Sequence, residues 1–471
     1  MLPMFLALID QTIVATAIPA IAGTLGDVER VSWVVISYLI VATIAAPVYG
    51  RLGDMLGRRR LMIAGLVIFV AASLVCAFAT SLTMLIVGRV LQGCGGGGLM
   101  ALAQALVGET VPPRDRARYQ GYLAAIGVTS NTLGPVLGGF LTEQFGWRSV
   151  FLVNLPVGVL AVLLVLRLPR GARSGERFRF DYVGLVAFAA FIVSVLVALQ
   201  QAQRLRAENL ALAAVLTLVG LAALWLLIVT ERRVPAPLLP VALFRHPAIW
   251  RSDALAACFG ALFFSLLTFV PIYLRVVHGT SAVETGLLLL PMTVGVGTGS
   301  LVTGRIVSRT GRTTLMPSIG LVVVTLALTF LALEAATFGT AQISWLLGLN
   351  SLFMGTVMGV VQVTVQVAAG PTMLGAAAAS VQFSRSLGAA FGTASVAAAL
   401  FATLRAMDGE GAALLGPLLQ QGPVVLETLP AASRAAVQGE FAAAFRAAFL
   451  TIAGFAAAGC VLAWSIPLRR I

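Results

Sequence analysis

Fourteen predominantly apolar stretches constrain this chain more than any other feature, because about 20 such residues in a helix cross the hydrocarbon of a bilayer. They lie near 2–22, 33–52, 61–80, 82–107, 117–141, 149–168, 182–201, 210–230, 252–274, 285–306, 315–336, 343–369, 376–404 and 441–466. The run 61–107 is too long for one crossing and is divided at Ser81. In lipid every backbone amide must be satisfied within its own segment, so each stretch is predicted to be a helix. Of the 471 residues only 10% are charged, against about 25% in soluble domains. The fourteen spans leave room for connections and tails and for no separate soluble domain.

All 31 basic residues are arginines; the chain has no lysine. That excludes a Walker A loop, whose lysine holds nucleotide phosphates, and any lysine Schiff base. His246 and His278 are too far apart for a zinc-peptidase helix, and with no G-x-S-x-G and no metal-binding cluster an enzyme is disfavoured. Cys76, Cys94, Cys258 and Cys460 fall inside apolar runs, where cysteines pack as small hydrophobes, and no disulfide is expected. The first stretch ends in Ala20-Ile21-Ala22, similar to a cleavage site, but Asp10 interrupts it and no basic segment precedes it. It is therefore read as a span and not a leader.

With the N-terminus inside, the connections after even-numbered spans and the C-terminal tail hold 21 arginines, the opposite side 7, and the spans themselves Arg89, Arg385 and Arg446. The positive-inside rule then predicts a multi-pass protein of the cytoplasmic membrane with both termini inside. The net charge of +13 reads as an anchor to the inner leaflet, with no nucleic-acid partner needed.

Between spans 2 and 3 the chain reads Gly50-Arg51-Leu52-Gly53-Asp54-Met55-Leu56-Gly57-Arg58; between spans 10 and 11 it reads Gly304-Arg305-Ile306-Val307-Ser308-Arg309-Thr310-Gly311-Arg312. Four of the nine positions match. Span 2 answering span 10 implies two six-helix halves, 1–168 and 252–471, separated by two inserted helices within 169–251. Repeated halves with a site at their midplane interface are common in secondary transporters.

These motifs resemble the major facilitator superfamily, specifically its fourteen-helix drug:proton antiporter branch. Asp10-Gln11-Thr12-Ile13-Val14-Ala15-Thr16-Ala17-Ile18-Pro19 is similar to the branch's first-helix pattern, with Ala15 where Asn is usual. The Gly50–Arg60 loop resembles the cytoplasmic signature, and Arg89-Val90-Leu91-Gln92-Gly93 the fourth-helix motif. Gly134-Pro135-Val136-Leu137-Gly138-Gly139 is similar to the fifth-helix antiporter motif, with Ser130 replacing an earlier Gly. Trp147-Arg148, Phe151, Asn154-Leu155-Pro156-Val157-Gly158 and Phe180-Asp181-Tyr182-Val183-Gly184 are further marks of the branch.

Asp10 lies roughly 13 Å into a core about 30 Å thick, given about 1.5 Å per residue. An acid at that depth is costly unless it functions. Desolvation favours its protonated form and a nearby cation its charged form, so the balance can let it exchange a proton. Arg89 falls at a similar depth and needs a partner or water. The resemblance implies that Arg89 assists proton transfer; the plainer reading is a hydrogen-bond hub among Gln92 and backbone carbonyls. Asp54, beside Arg51, Arg58 and Arg59, can pair with those arginines or cap the N-terminus of another helix. The resemblance makes this group, with Gly50 and Gly57, a cytoplasmic gate, one-sided because Ser308 replaces the acid in the second copy.

Pro135 removes a backbone hydrogen bond in span 5; the resemblance makes Gly134, Pro135, Gly138 and Gly139 a hinge, where packing alone is the other reading. Gly93-Cys94-Gly95-Gly96-Gly97-Gly98 matches a dinucleotide-loop pattern formally, but it lies mid-membrane with no strand before it, so its glycines are read as letting helices approach. Thr12, Gln92, Gln382 and Arg385 are candidates for a substrate cavity. Arg446 is expected to snorkel outward. The expected activity is proton-coupled export of amphipathic, often cationic, small molecules by alternating access. The proton gradient supplies the energy, with no cofactor and no nucleotide, and the partners are substrate, protons and the lipid bilayer. An accessory periplasmic protein is left open. The alternatives are an exporter of one particular metabolite or natural product, and a non-transporting membrane sensor that tolerates loss of Asp10.

Overall fold

A computed structural model describes residues 1–26, 30–168, 181–203, 207–234, 241–334, 337–407, 411, 414 and 430–470. Phe180, Arg204, Arg206 and most of the segment 408–429 lie outside the described residues. The described chain is helical; an isolated bridge between Arg312 and Arg470 is its β contact. Among the described residues, fourteen helices are long and apolar enough to cross a membrane. Spans 1 to 7 are Leu2–Leu25, Trp33–Leu56, Arg58–Ala77, Leu82–Thr110, Pro113–Phe145, Ser149–Leu166 and Tyr182–Leu199. Spans 8 to 14 are Ala211–Glu231, Pro247–Val277, Glu284–Thr310, Leu315–Glu334, Thr340–Ala369, Pro371–Ala406 and Ala436–Ser465.

The helices outlast the apolar runs where polar first turns extend them. Span 5 starts on Pro113 and span 9 on Pro247, at positions where the missing amide of proline costs nothing. Ser81, the point of division in the long run, caps span 4 by accepting from the Met84 amide at 3.2 Å. Within span 4 the helix is interrupted between Leu82–Gly96 and Leu99–Thr110. The glycines there sit against neighbouring backbone: a side chain on Gly95 would meet the Gly65 carbonyl at 2.6 Å, and Gly97 abuts Ala42. Close helix approach through small residues is what holds membrane helices together without a hydrophobic drive between them.

Span 1 packs on span 5, span 3 on spans 4 and 6, span 9 on spans 13 and 14, and span 10 on span 12. Spans 1 to 6 meet spans 9 to 14 where span 2 packs on span 13 and span 5 on span 10. Spans 7 and 8 pair with each other and share an apolar cluster that takes in Ile44 and Val48 of span 2 and Phe383 of span 13. Large side chains that remain exposed, such as Val186, Trp225, Trp345 and Val461, face the apolar surroundings that a bilayer supplies.

The connections sort to two ends of the bundle. At one end Arg59 donates to Val165 O and Leu166 O, and Thr313 bonds to Leu468 O and Arg469 O. These are the arginine-rich connections of the sequence. At the other end Arg148 donates to Ala79 O at 3.1 Å. Arg446, which is exposed, donates to Ala332 O and Leu333 O and so closes the C-terminal carbonyls of span 11.

Candidate functional site

Asp10 and Arg89 meet. The Arg89 Nη1 lies 2.6 Å from Asp10 Oδ2, and both side chains are fully buried. Arg89 also donates from Nη1 to Gln92 Oε1 at 2.7 Å and from Nε to the Val34 carbonyl at 3.0 Å. Its guanidinium stacks 4.3 Å from the centroid of the Tyr38 ring. The second carboxylate oxygen of Asp10 accepts from Gln92 Nε2 at 2.9 Å and Asn154 Nδ2 at 2.7 Å. Ser73 Oγ accepts from Gln92 Nε2 at 2.8 Å. One carboxylate thus ties spans 1, 2, 3, 4 and 6 into a network without access to water in this conformation. A buried pair is tolerable only when such extra hydrogen bonds satisfy it.

Gln92, a candidate for the cavity wall on sequence grounds, belongs to this network instead. It is fully buried and its amide bonds Asp10, Ser73 and Arg89. Its place three residues after Arg89 puts both on one helix face, which is the face turned into the half. Ser73 and Tyr38 were not singled out from the sequence, and Asn154 only as a family mark. The usable signal was depth: each is polar and falls inside an apolar run.

Asp54 forms the second arrangement. Its Oδ1 lies 2.6 Å from Arg58 Nη2, and the carboxylate accepts from the amides of Gly375 at 2.9 Å and Ala376 at 3.1 Å. Those amides open the helix Leu374–Ala406, so the acid both pairs with an arginine and caps the helix dipole across the interface. Arg58 is bonded on its other side to Glu109 at 2.5 Å, and Arg59 holds the end of span 6. No side-chain partner of Arg51 is seen among the described residues. A side chain on Gly50 would meet the Gly375 carbonyl at 2.5 Å, and one on Gly304 the Ala117 carbonyl at 2.6 Å. The repeated glycine therefore does the same task in both copies, bringing the halves into backbone contact. Gly57 at φ 96 and Gly311 at φ 68 end the two motifs in the left-handed region that favours glycine. Among the described residues Ser308, opposite Asp54 in the repeat, bonds only its own helix at Arg305 O.

In span 5, Gly134 and Gly138 lie against Thr12 and Thr16 of span 1, where any side chain would collide, while Gly139 faces open space. The helix Pro113–Phe145 continues through Pro135. Thr12 Oγ1 bridges to the Ser130 carbonyl at 3.2 Å, which is a carbonyl near the one that the proline ring displaces.

Three adjoining cavities, of about 110, 270 and 220 Å³, lie between the halves. Leu8, Met100, Gln382 and Arg385 line the first two, Asn131 and Phe263 the first and third, and Thr12 and Pro135 the third. Leu8, Gln11 and Thr12 turn toward these cavities and Asp10 away from them, so span 1 carries the ion pair and the cavity wall on opposite faces. Asp253 of span 9 escaped sequence reading. It is buried, with Ser380 Oγ at 3.4 Å from Oδ1 and no ion pair among the described residues.

The sequence profile of the Major Facilitator Superfamily matches residues 1–393. An uncharacterised MFS-type transporter of Mycobacterium tuberculosis is 35% identical over 98% of this chain and 68% of its own length. The multidrug transporter protein MdtP of Bacillus subtilis is 32% identical over 83% of this chain and 72% of its own. The solved human organic anion transporter MFSD10 superposes with a TM-score of 0.63 at 16% identity, covering 98% of both chains, a likeness of fold alone. By profile, relatives and fold, this chain belongs to the major facilitator superfamily.

Proposed function

We propose that the protein is a proton-coupled antiporter that exports amphipathic small molecules across the cytoplasmic membrane by alternating access, with both termini inside. The observation that carries this reading is span 1 itself: one face holds the sealed Asp10–Arg89 pair and the other lines the cavity between the halves. A proton taken by Asp10 dissolves its pairing with Arg89, and the repacking of spans 1 to 6 that follows reaches the cavity wall through a single rigid element. Asp54 latches the arginine-rich end, and its release lets the halves 1–168 and 252–471 rock about the contacts of spans 2 with 13 and 5 with 10. The inserted helices within 169–251 ride on that interface. Relatives named as a multidrug transporter protein and as a drug efflux pump support export as the direction.

Cells with and without the protein, each with and without a proton uncoupler, test the reading with one cationic, one neutral and one anionic amphipathic dye. Lower accumulation of at least one dye, lost on uncoupling, is the expected result. No change for any dye, or a reduction that survives the uncoupler, overturns it.

A further inference from the structure

Among the described residues that line the three cavities, Arg385 is the only charged one. It borders two of the cavities together with Gln382, three residues earlier on span 13, and no carboxylate among the described residues shares the wall. Its neighbours satisfy it poorly. Nη2 has the Met100 sulfur at 3.8 Å, the guanidinium lies 5.7 Å from the Phe264 centroid, and Nε has no hydrogen-bond partner among the described residues. No ion pair to Arg385 is seen among the described residues. Asp10 is held by Arg89, Asp54 by Arg58 and the start of span 13, and Asp253 by Ser380. A guanidinium cannot shed its proton, so this site carries a permanent positive charge in an apolar chamber.

We propose that Arg385 makes the central cavity a receptor for amphipathic carboxylates and other small anions with an apolar body, and that it disfavours cationic amphiphiles. A carboxylate entering there meets a planar fork able to form two parallel hydrogen bonds, in surroundings that screen charge weakly. Gln382 offers its amide beside the fork, and Met100, Phe263 and Phe264 receive the apolar body. An ammonium ligand meets the same charge as repulsion with no acid to offset it. This rests on the cavity being the transport site.

The test is isothermal titration of the purified full-length protein in detergent with 1-naphthylacetate, 1-naphthylacetamide and 1-naphthylmethyl-trimethylammonium. In the wild type the carboxylate is expected to bind about tenfold tighter than the amide, as a charge-assisted bond predicts, and the ammonium more weakly than the amide. Arg385→Gln should bring the carboxylate-to-amide ratio to about one, Arg385→Lys should keep part of it because the charge remains without the fork, and Arg385→Glu should favour the ammonium. A wild type that prefers the ammonium or ignores charge overturns the proposal, and so does a preference that survives Arg385→Gln. Should Arg385→Gln fail to fold, the wild-type ratio and Arg385→Lys decide it. Binding selectivity without proton-driven export sinks the transport reading alone; export without selectivity sinks this one alone.

Discussion

Arg89 shows how far a single charge can be placed from sequence. Its depth matched that of Asp10, and the cost of a lone charge in lipid required a partner or water; the 2.6 Å contact is with Asp10. The rest of the network was not legible, because Ser73, Tyr38 and Asn154 are residue types that membrane helices also use for ordinary packing. The spacing puts Gln92 on the face of Arg89, but nothing local says whether that face turns into the half or toward the cavity, since both faces of span 4 are apolar. Arg89→Lys is expected to lower the export rate by at least about tenfold with insertion intact, because a point ammonium cannot donate to Asp10, Gln92 and Val34 O from the positions a fork occupies. Initial export rates normalised to inserted protein measure this. A rate near wild type would mean that charge alone is needed.

At the scale of elements, the fourteen spans were legible because hydrocarbon thickness fixes a length that a run of apolar residues must meet. Helix ends were less so: Pro113 and Pro247 open spans 5 and 9 ahead of the apolar runs. The repeated motif led to the expectation of two related halves, and both copies open on a glycine in backbone contact with another span, Gly50 with Gly375 and Gly304 with Ala117. Partners across the interface were hidden, since nothing local in the sequence says that Asp54 reaches residues more than 300 positions away. Asp54→Asn keeps the shape but removes the charge facing the amides of span 13. The loss of roughly 0.6–2 kcal/mol of dipole and pairing energy corresponds to about three- to thirtyfold. Because this acts on the balance between two conformations and not on ligand contacts, turnover should fall by that factor while substrate Kd stays within about twofold. Unchanged turnover in transport assays would remove the latch. Gly50→Val should act in the same direction and more strongly, since its side chain meets the Gly375 backbone directly; turnover equal to wild type would show that the halves need not come so close.

At the scale of the whole molecule, export against a gradient requires one ionisable group that trades its proton between the two sides as the halves rock. Of the carboxylates buried in the two six-helix halves, two lie away from the Asp54 latch, one in each half, and compete for that part. Asp10 sits in the first half, bonded to Arg89, Gln92 and Asn154; Asp253 sits in the second half beside Ser380, five residues into span 13 from the amide that Asp54 holds. Protonating Asp10 breaks an ion pair shared by spans 1 and 4 and so changes the packing of a helix that lines the cavity. Protonating Asp253 alters one long hydrogen bond. Coupling is therefore expected at Asp10. Asp10→Asn should abolish uphill export while the protein still inserts and binds substrate, and Asp253→Asn should leave export within about twofold of wild type, as expected for a group outside the coupled network. Both variants and the wild type would be placed in vesicles under an imposed pH gradient, with substrate efflux and internal pH followed together. If Asp10→Asn still moves substrate uphill with proton counterflow while Asp253→Asn does not, the proton enters through the second half. The Asp10–Arg89 pair is then a structural tie within the first.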